Sequence, residues 1–177
     1  MKLRIRKWPV LLIAGTFTVL FLCKNLIVDE YIINSSDSLP HYLYKGTHSL
    51  TDLSNQTYVL VCLRRNKSKT AYDLLSKLHP ELFSHKSVCP AEVMPLIKRI
   101  AAKPHDQLVA SGNHEIIVNS YELRGTAPHQ TLQTFRFTGE VPDDRYLIYT
   151  PHPDSLDSRY FGFITKDEII DTLTPVF

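Results

Sequence analysis

From Trp8 to Cys23 the chain carries no charged side chain, and Leu26-Ile27-Val28 extends this apolar run past Lys24 and Asn25. Few structures satisfy such a run. A helix over residues 8–28, rising about 1.5 Å per residue, spans roughly 30 Å, the hydrocarbon thickness of a bilayer. Lys24 then snorkels to an interface, or Asn25 faces a partner. Lys2, Arg4, Arg6 and Lys7 precede the run and Asp29 and Glu30 follow it, so residues 1–7 are expected in the cytoplasm and residues 29–177 outside. A removable secretory signal shares the basic start and apolar core, but no Ala-x-Ala-like pair of small residues closes this stretch.

About 150 residues remain, enough for one exported domain with a proper core and too few to argue for two. The formal charge of +2 comes partly from the basic N-terminus. No cluster of Lys and Arg interleaved with aromatics occurs elsewhere, so nothing supports nucleic-acid binding. Cys23 falls within the apolar run, which leaves Cys62 and Cys89 as an even pair in a compartment where disulfides persist. A Cys62–Cys89 bridge is expected, and two buried free thiols is the competing reading.

Beyond the apolar run, the periodicity predicts a mainly β domain. Residues 58–63 (Tyr-Val-Leu-Val-Cys-Leu) form a β-branched apolar run suited to a core strand. Glu115 to Val118, then Asn119-Ser120, then Tyr121 to Leu123 reads as a hairpin, with a turn at Ser111-Gly112-Asn113 before it. Residues 134–137 and 146–149 add two strands. Only residues 70–78 look helical, with Ala71, Leu74, Leu75 and Leu78 at spacings of three and four, inside a surface insertion over 64–87.

Three separated segments carry candidate chemistry: Ser36-Asp37-Ser38-Leu39-Pro40, Lys98-Arg99 and Asp157-Ser158-Arg159. A serine hydroxyl needs a base within hydrogen-bond reach, and a lysine serves only if its amine is neutral. Free lysine titrates near pH 10.4, so neutrality requires burial against apolar neighbours. Lys98 has them, between Val93-Met94-Pro95-Leu96-Ile97 and Ile100-Ala101-Ala102. An amphipathic strand with a solvated lysine, and an ordinary polar loop at the serines, are the plainer alternatives. His41, His105 and His152 lie near the same segments, where a Ser-His-Asp triad is the competing mechanism. No metal-ligand spacing and no Gly-rich phosphate loop occurs, so no cofactor is expected.

These segments together resemble the bacterial type I signal peptidase family, and within it the conjugative-transfer branch, the TraF-type peptidases. The family's Ser-x-Ser-x-Pro is matched by Ser36 to Pro40. Its Lys-Arg-x-x-Ala-x-Pro-Gly-Asp is matched by Lys98-Arg99-Ile100-Ala101-Ala102-Lys103-Pro104-His105-Asp106. Its Asp-Ser-Arg-Tyr-Phe-Gly stands intact at residues 157–162. Tyr42-Leu43-Tyr44, Cys89-Pro90 and Gly139-Glu140-Val141-Pro142 resemble the conjugative branch in particular. Tyr42 and His105 stand where the family carries glycine, which puts turn geometry there in question.

The resemblance implies a signal-peptidase-like β domain with Ser38 as nucleophile and Lys98 as general base. It implies an oxyanion site from the Ser38 backbone N–H and the Ser36 hydroxyl. Asp157 assists or orients the pair, with Arg99 and Arg159 as partners for Asp157 or Asp154, while Asp106 shapes a turn. The implied setting is a single-pass protein of the bacterial inner membrane with a periplasmic catalytic domain. The implied substrate is a pilin precursor, cleaved and in some members cyclised, or another signal-peptide-bearing protein. A general signal peptidase and a catalytically silent assembly factor of a secretion channel are the other two readings.

Overall fold

The β-branched run at residues 58–63 lies at the centre of the fold. The computed structural model describes residues 31–34, 36, 38–80, 89, 94–112, 115–123, 134–153 and 155–176. The expected membrane helix over 8–28 and Asp154 lie outside them. Among the described residues no helix is long and apolar enough to cross a membrane.

The strands are β1 (Tyr31–Ile33), β2 (Leu43–Gly46), β3 (Tyr58–Leu63), β4 (Met94–Ala102), β5 (Gln107–Ser111), β6 (Ile116–Val118), β7 (Tyr121–Leu123), β8 (Arg136–Glu140), β9 (Arg145–Tyr149), β10 (Ile164–Thr165) and β11 (Ile169–Pro175). Helix α1 covers Lys69–Leu78 and helix α2 covers Ser158–Phe161. One sheet has seven strands in the order β1-β2-β11-β3-β4-β9-β10, and the other has four in the order β7-β6-β5-β8. Neighbouring strands run antiparallel. The domain is mainly β, as the periodicity predicts. Two outcomes differ from expectation: the Asp-Ser-Arg segment is itself helical, and the strand expected from residue 134 begins at Arg136.

Because β3 is an interior strand, both of its faces are buried. Val59, Val61 and Leu63 pack with Ile100, Ile148, Tyr160 and Phe161 on one side, together with Ala71 and Leu75 of α1. Leu60 faces the other side, with Leu39, Tyr44 and Leu173. The helix at 69–78 thus lends its apolar stripe to the main core. The start of that segment is also held by Glu168, a fully buried carboxylate that accepts from Arg64 N at 2.8 Å, Ser68 Oγ at 2.6 Å and Thr165 N at 2.9 Å. A buried charge is tolerated where donors satisfy it in this way.

Strand β4 links the two sheets. Its register against β9 slips between Ile100 and Ala102, after which Ala101 and Ala102 join a second core with Leu108, Val118 and Leu147. The turn into β5 is shaped by Asp106, which accepts from Lys103 N at 2.9 Å, Asn119 Nδ2 at 2.8 Å and Asn55 Nδ2 at 3.1 Å. Burial pushes the Asp106 carboxyl up, but these donors outweigh it and leave the group below its ordinary range. His105, standing for the family glycine, takes a positive φ of 71°. The β6–β7 hairpin forms as expected, with Asn119 and Ser120 both left-handed at φ 48° and 68°, the demand of a type I′ turn.

Cys62 and Cys89 form a disulfide across a sequence separation of 27 residues. Closing such a loop contributes about 3 kcal/mol in the chain-entropy model. Paired Cys62→Ala and Cys89→Ala substitution is expected to lower denaturant-melt stability by that order, and an unchanged midpoint would show that the bridge contributes nothing.

Candidate active site

Consecutive residues of a strand point to opposite faces, and Lys98 and Arg99 on β4 do so. Lys98 is buried, and its Nζ donates to Ser155 Oγ at 2.8 Å. Burial brings its pKa down from 10.5 to about 8; the neighbouring Asp157 carboxylate opposes this, and the Arg159 guanidinium adds to it. The amine is buried, as its apolar neighbours in sequence suggest, but it meets the Ser155 hydroxyl and the field of Asp157 and Arg159 and is not wrapped in hydrocarbon alone.

Arg99 emerges on the other face. Its Nη2 donates to the Tyr58 hydroxyl, and its guanidinium lies 4.6 Å from the centre of the Tyr58 ring. It is not the partner of Asp157 that sequence reasoning offered, because strand alternation carries it away from that carboxylate. Tyr58 in turn lies 5.3 Å from Tyr44, and His41 sits edge-on to Tyr44 and Tyr58 at 6.1 and 6.3 Å.

Arg159 is the cation that meets Asp157. Its Nε donates to Oδ1 at 2.8 Å and its Nη2 to Oδ2 at 2.9 Å, with both side chains fully buried. The two-pronged geometry suits a planar guanidinium. Asp157 also caps α2, accepting from Arg159 N at 3.1 Å, and takes Thr150 N at 3.2 Å. Arg159 Nη2 further donates to the carbonyls of His152 and Ser155, both at 3.2 Å. The Asp157–Arg159 pair therefore pins the loop that presents Ser155 to Lys98. After α2 the chain reverses at Gly162, where φ is 77° and an added Cβ would lie 2.5 Å from the Phe135 ring; only glycine fits there.

The serine segment follows β1. Ser36 Oγ and Ser38 Oγ are hydrogen-bonded at 2.8 Å. Asn34, itself buried, accepts from Ser36 N at 3.2 Å and Ser36 Oγ at 2.8 Å. It donates to the carbonyls of Ser36 at 2.9 Å and His41 at 3.2 Å. Leu39 packs in the cluster that holds Ile97 and Tyr58, which by strand alternation is the face of Arg99 and not that of Lys98. Among the described residues no hydrogen bond joins Ser38 to Lys98: Ser38 Oγ is paired with Ser36, and Lys98 Nζ with Ser155.

The structure therefore holds two groupings, a serine pair on a loop and a buried amine on a sheet. His105 engages Glu140 at 2.7 Å and Asp143 at 3.3 Å, away from both serines in its hydrogen bonding. Asp154 lies outside the described residues. Sequence reasoning passed over Ser155 and Asn34. Ser155 stands two residues before Asp157, so extending that segment would have flagged it; Asn34 looked like any polar loop residue. Among the described residues no group of His, Cys, Asp or Glu is placed to hold a metal.

A family model described as "Signal peptidase, peptidase S26" matches residues 6–177. No curated protein matches the chain. Among solved structures, a signal peptidase I from Enterococcus faecalis V583 is similar at 16% identity and a TM-score of 0.41, covering 71% of this chain and 100% of that one.

Proposed function

The chain belongs to the peptidase S26 signal peptidase family, serine endopeptidases acting on signal-peptide-bearing proteins, and from that premise we propose that Ser38 and Lys98 are its catalytic dyad. The observation that carries this reading is the buried Lys98 amine with a pKa of about 8. At pH 7 roughly a tenth of such amines is neutral, against a few in ten thousand for a free lysine.

In the proposed reaction Lys98 takes the Ser38 proton as Oγ attacks the scissile carbonyl. The oxyanion is received by the Ser38 backbone N–H and the Ser36 hydroxyl. The Lys98 ammonium then gives its proton to the leaving amine, and water or another amine accepts the acyl group. Ser155 holds the lysine and the Asp157–Arg159 pair holds Ser155, so Asp157 acts as an orienting group. A precursor can lie extended along β4, because among the described residues β9 runs beside β4 only up to the Arg99–Tyr149 pair, leaving residues 94–98 partnered by β3 alone. Strand addition at such an edge is a common peptide-binding mode.

The finer reading is a membrane-anchored peptidase of a conjugative transfer system, acting on a pilin precursor outside the cytoplasm. It is supported by the apolar run at 8–28, by Cys89-Pro90 and by Gly139-Glu140-Val141-Pro142. A general signal peptidase is the second reading, favoured by the family description itself; complementation of a strain depleted of its general signal peptidase separates the two.

The test is cleavage of candidate precursors followed by mass spectrometry, which also detects cyclisation as a product one water lighter. Ser38→Ala and Lys98→Ala are expected to abolish processing, and turnover at the parental rate by either would overturn the dyad. The parent's kcat/KM should rise with pH through about 8, since the amine must lose its proton to act as base. A profile flat from pH 6 to 10 would exclude Lys98 as that base.

A further inference from the structure

The Asn34 side chain makes four hydrogen bonds within its own loop, and their directions can be assigned. Its Oδ1 accepts only, so the 2.8 Å contact with Ser36 Oγ commits the Ser36 proton to Asn34. The 2.8 Å contact between the two serine hydroxyls then requires Ser38 to be the donor. The resting order is a chain, Ser38 to Ser36 to Asn34. The Nδ2 donor holds the Ser36 and His41 carbonyls, and Asn34 N donates to Tyr42 O at 2.8 Å. One side chain thus fixes both the backbone and the hydroxyl of Ser36.

We propose that Asn34 is a positioning residue for the oxyanion site, acting through Ser36. This rests on the peptidase reading above. In the resting loop Asn34 keeps the Ser36 hydroxyl in a single rotamer beside Ser38. When the scissile oxygen gains charge, the Ser36 proton moves from the neutral amide oxygen to the stronger acceptor, the oxyanion. A neutral acceptor suits this exchange, because it orders the hydroxyl without binding the proton too tightly to release. A carboxylate at the same place would keep the proton, since a hydrogen bond to an ionised acceptor is about twice as strong.

The experiment is steady-state cleavage of a precursor by the full-length protein. It compares Asn34→Ala, Asn34→Asp, Ser36→Ala, the Asn34→Ala/Ser36→Ala double variant and Ser38→Ala, with a melting curve for each. Asn34→Ala and Ser36→Ala are each expected to lower kcat on the order of 100-fold with KM within about twofold. The double variant should be no slower than the slower single, and the rise of rate near pH 8 should not move. Asn34→Asp preserves size and an acceptor atom but loses the donor to the Ser36 and His41 carbonyls, so it is expected to melt below the parent and to lose at least about tenfold in kcat with KM within about twofold. Parental kcat in Asn34→Asp, or losses that multiply in the double variant, would overturn the proposal. Full activity of Ser38→Ala would instead overturn the peptidase assignment on which it stands, so the two failures are separable. If Asn34→Ala does not fold, Asn34→Asp assayed below its own melting temperature still decides the matter.

Discussion

Lys98→Met is expected to abolish precursor cleavage and, at the same time, to make the protein more stable. Methionine fills nearly the same volume and carries no charge into the buried site. A pKa lowered from 10.5 to about 8 corresponds to roughly 3 kcal/mol by which the folded state disfavours the protonated amine at neutral pH. Losing the donor to Ser155 Oγ offsets about 1 to 2 kcal/mol of the gain. A net rise of a few degrees in melting temperature is expected at pH 7.

The sign of the pH dependence follows from the depressed folded-state pKa. Between about 8 and 10.5 the unfolded chain holds more protons at this site than the folded one, so the parent gains stability as pH rises through that window. Below about 8 the full penalty is present. The advantage of Lys98→Met should therefore be largest below pH 8 and vanish above pH 10.5. Paired calorimetric melts at pH 7 and pH 10.5 check this. A methionine variant melting lower than the parent at pH 7 would mean that the buried amine is not under strain.

The second large effect is expected at Arg159. Arg159→Met leaves the Asp157 carboxylate fully buried without its paired guanidinium and strips donors from the carbonyls of His152 and Ser155. Breaking a buried ion pair from one side costs about 3 to 5 kcal/mol, or on the order of 10 °C for a domain of this size. Removing the charge as well, in Asp157→Asn/Arg159→Met, should recover part of the loss, because the penalty comes from the unpaired carboxylate. Arg159→Lys should fall between, since one ammonium cannot reproduce the paired donation. Urea melts of the four proteins measure the series. A single variant within about 0.5 kcal/mol of the parent, the scatter ordinary for surface substitutions, would show that the pair does not support the fold. Cleavage should fall with stability in this series, because the same guanidinium holds the loop of Ser155.

How much of this was legible beforehand depended on the range of the interaction. Tyr58 to Leu63 announced a core strand because β-branched apolar residues fit both faces of an interior strand. Asn119-Ser120 announced a tight reversal because such residues tolerate left-handed angles. The apolar stripe of Ala71 and Leu75 announced its helix by spacing alone. The segment Ser158 to Phe161 did not, since four residues carry too little periodicity to read, and its helix depends on the Asp157 cap and on Gly162 beyond.

At the candidate site the same division holds. The order of the three segments and their resemblance to the family motifs marked Ser36, Ser38, Lys98 and Asp157 as candidates, whereas their local pattern suited a polar loop and a solvated lysine equally well. Which partner each side chain meets was settled by contacts between residues far apart in the chain. Lys98 meets Ser155 across 57 residues, and Arg99 turns to Tyr58 across 41. Local pattern determines strand, helix and turn, since those energies are summed over a few neighbouring residues. The direction of a buried charge is decided only when strands pair and a face becomes an interior, which no short window of sequence contains.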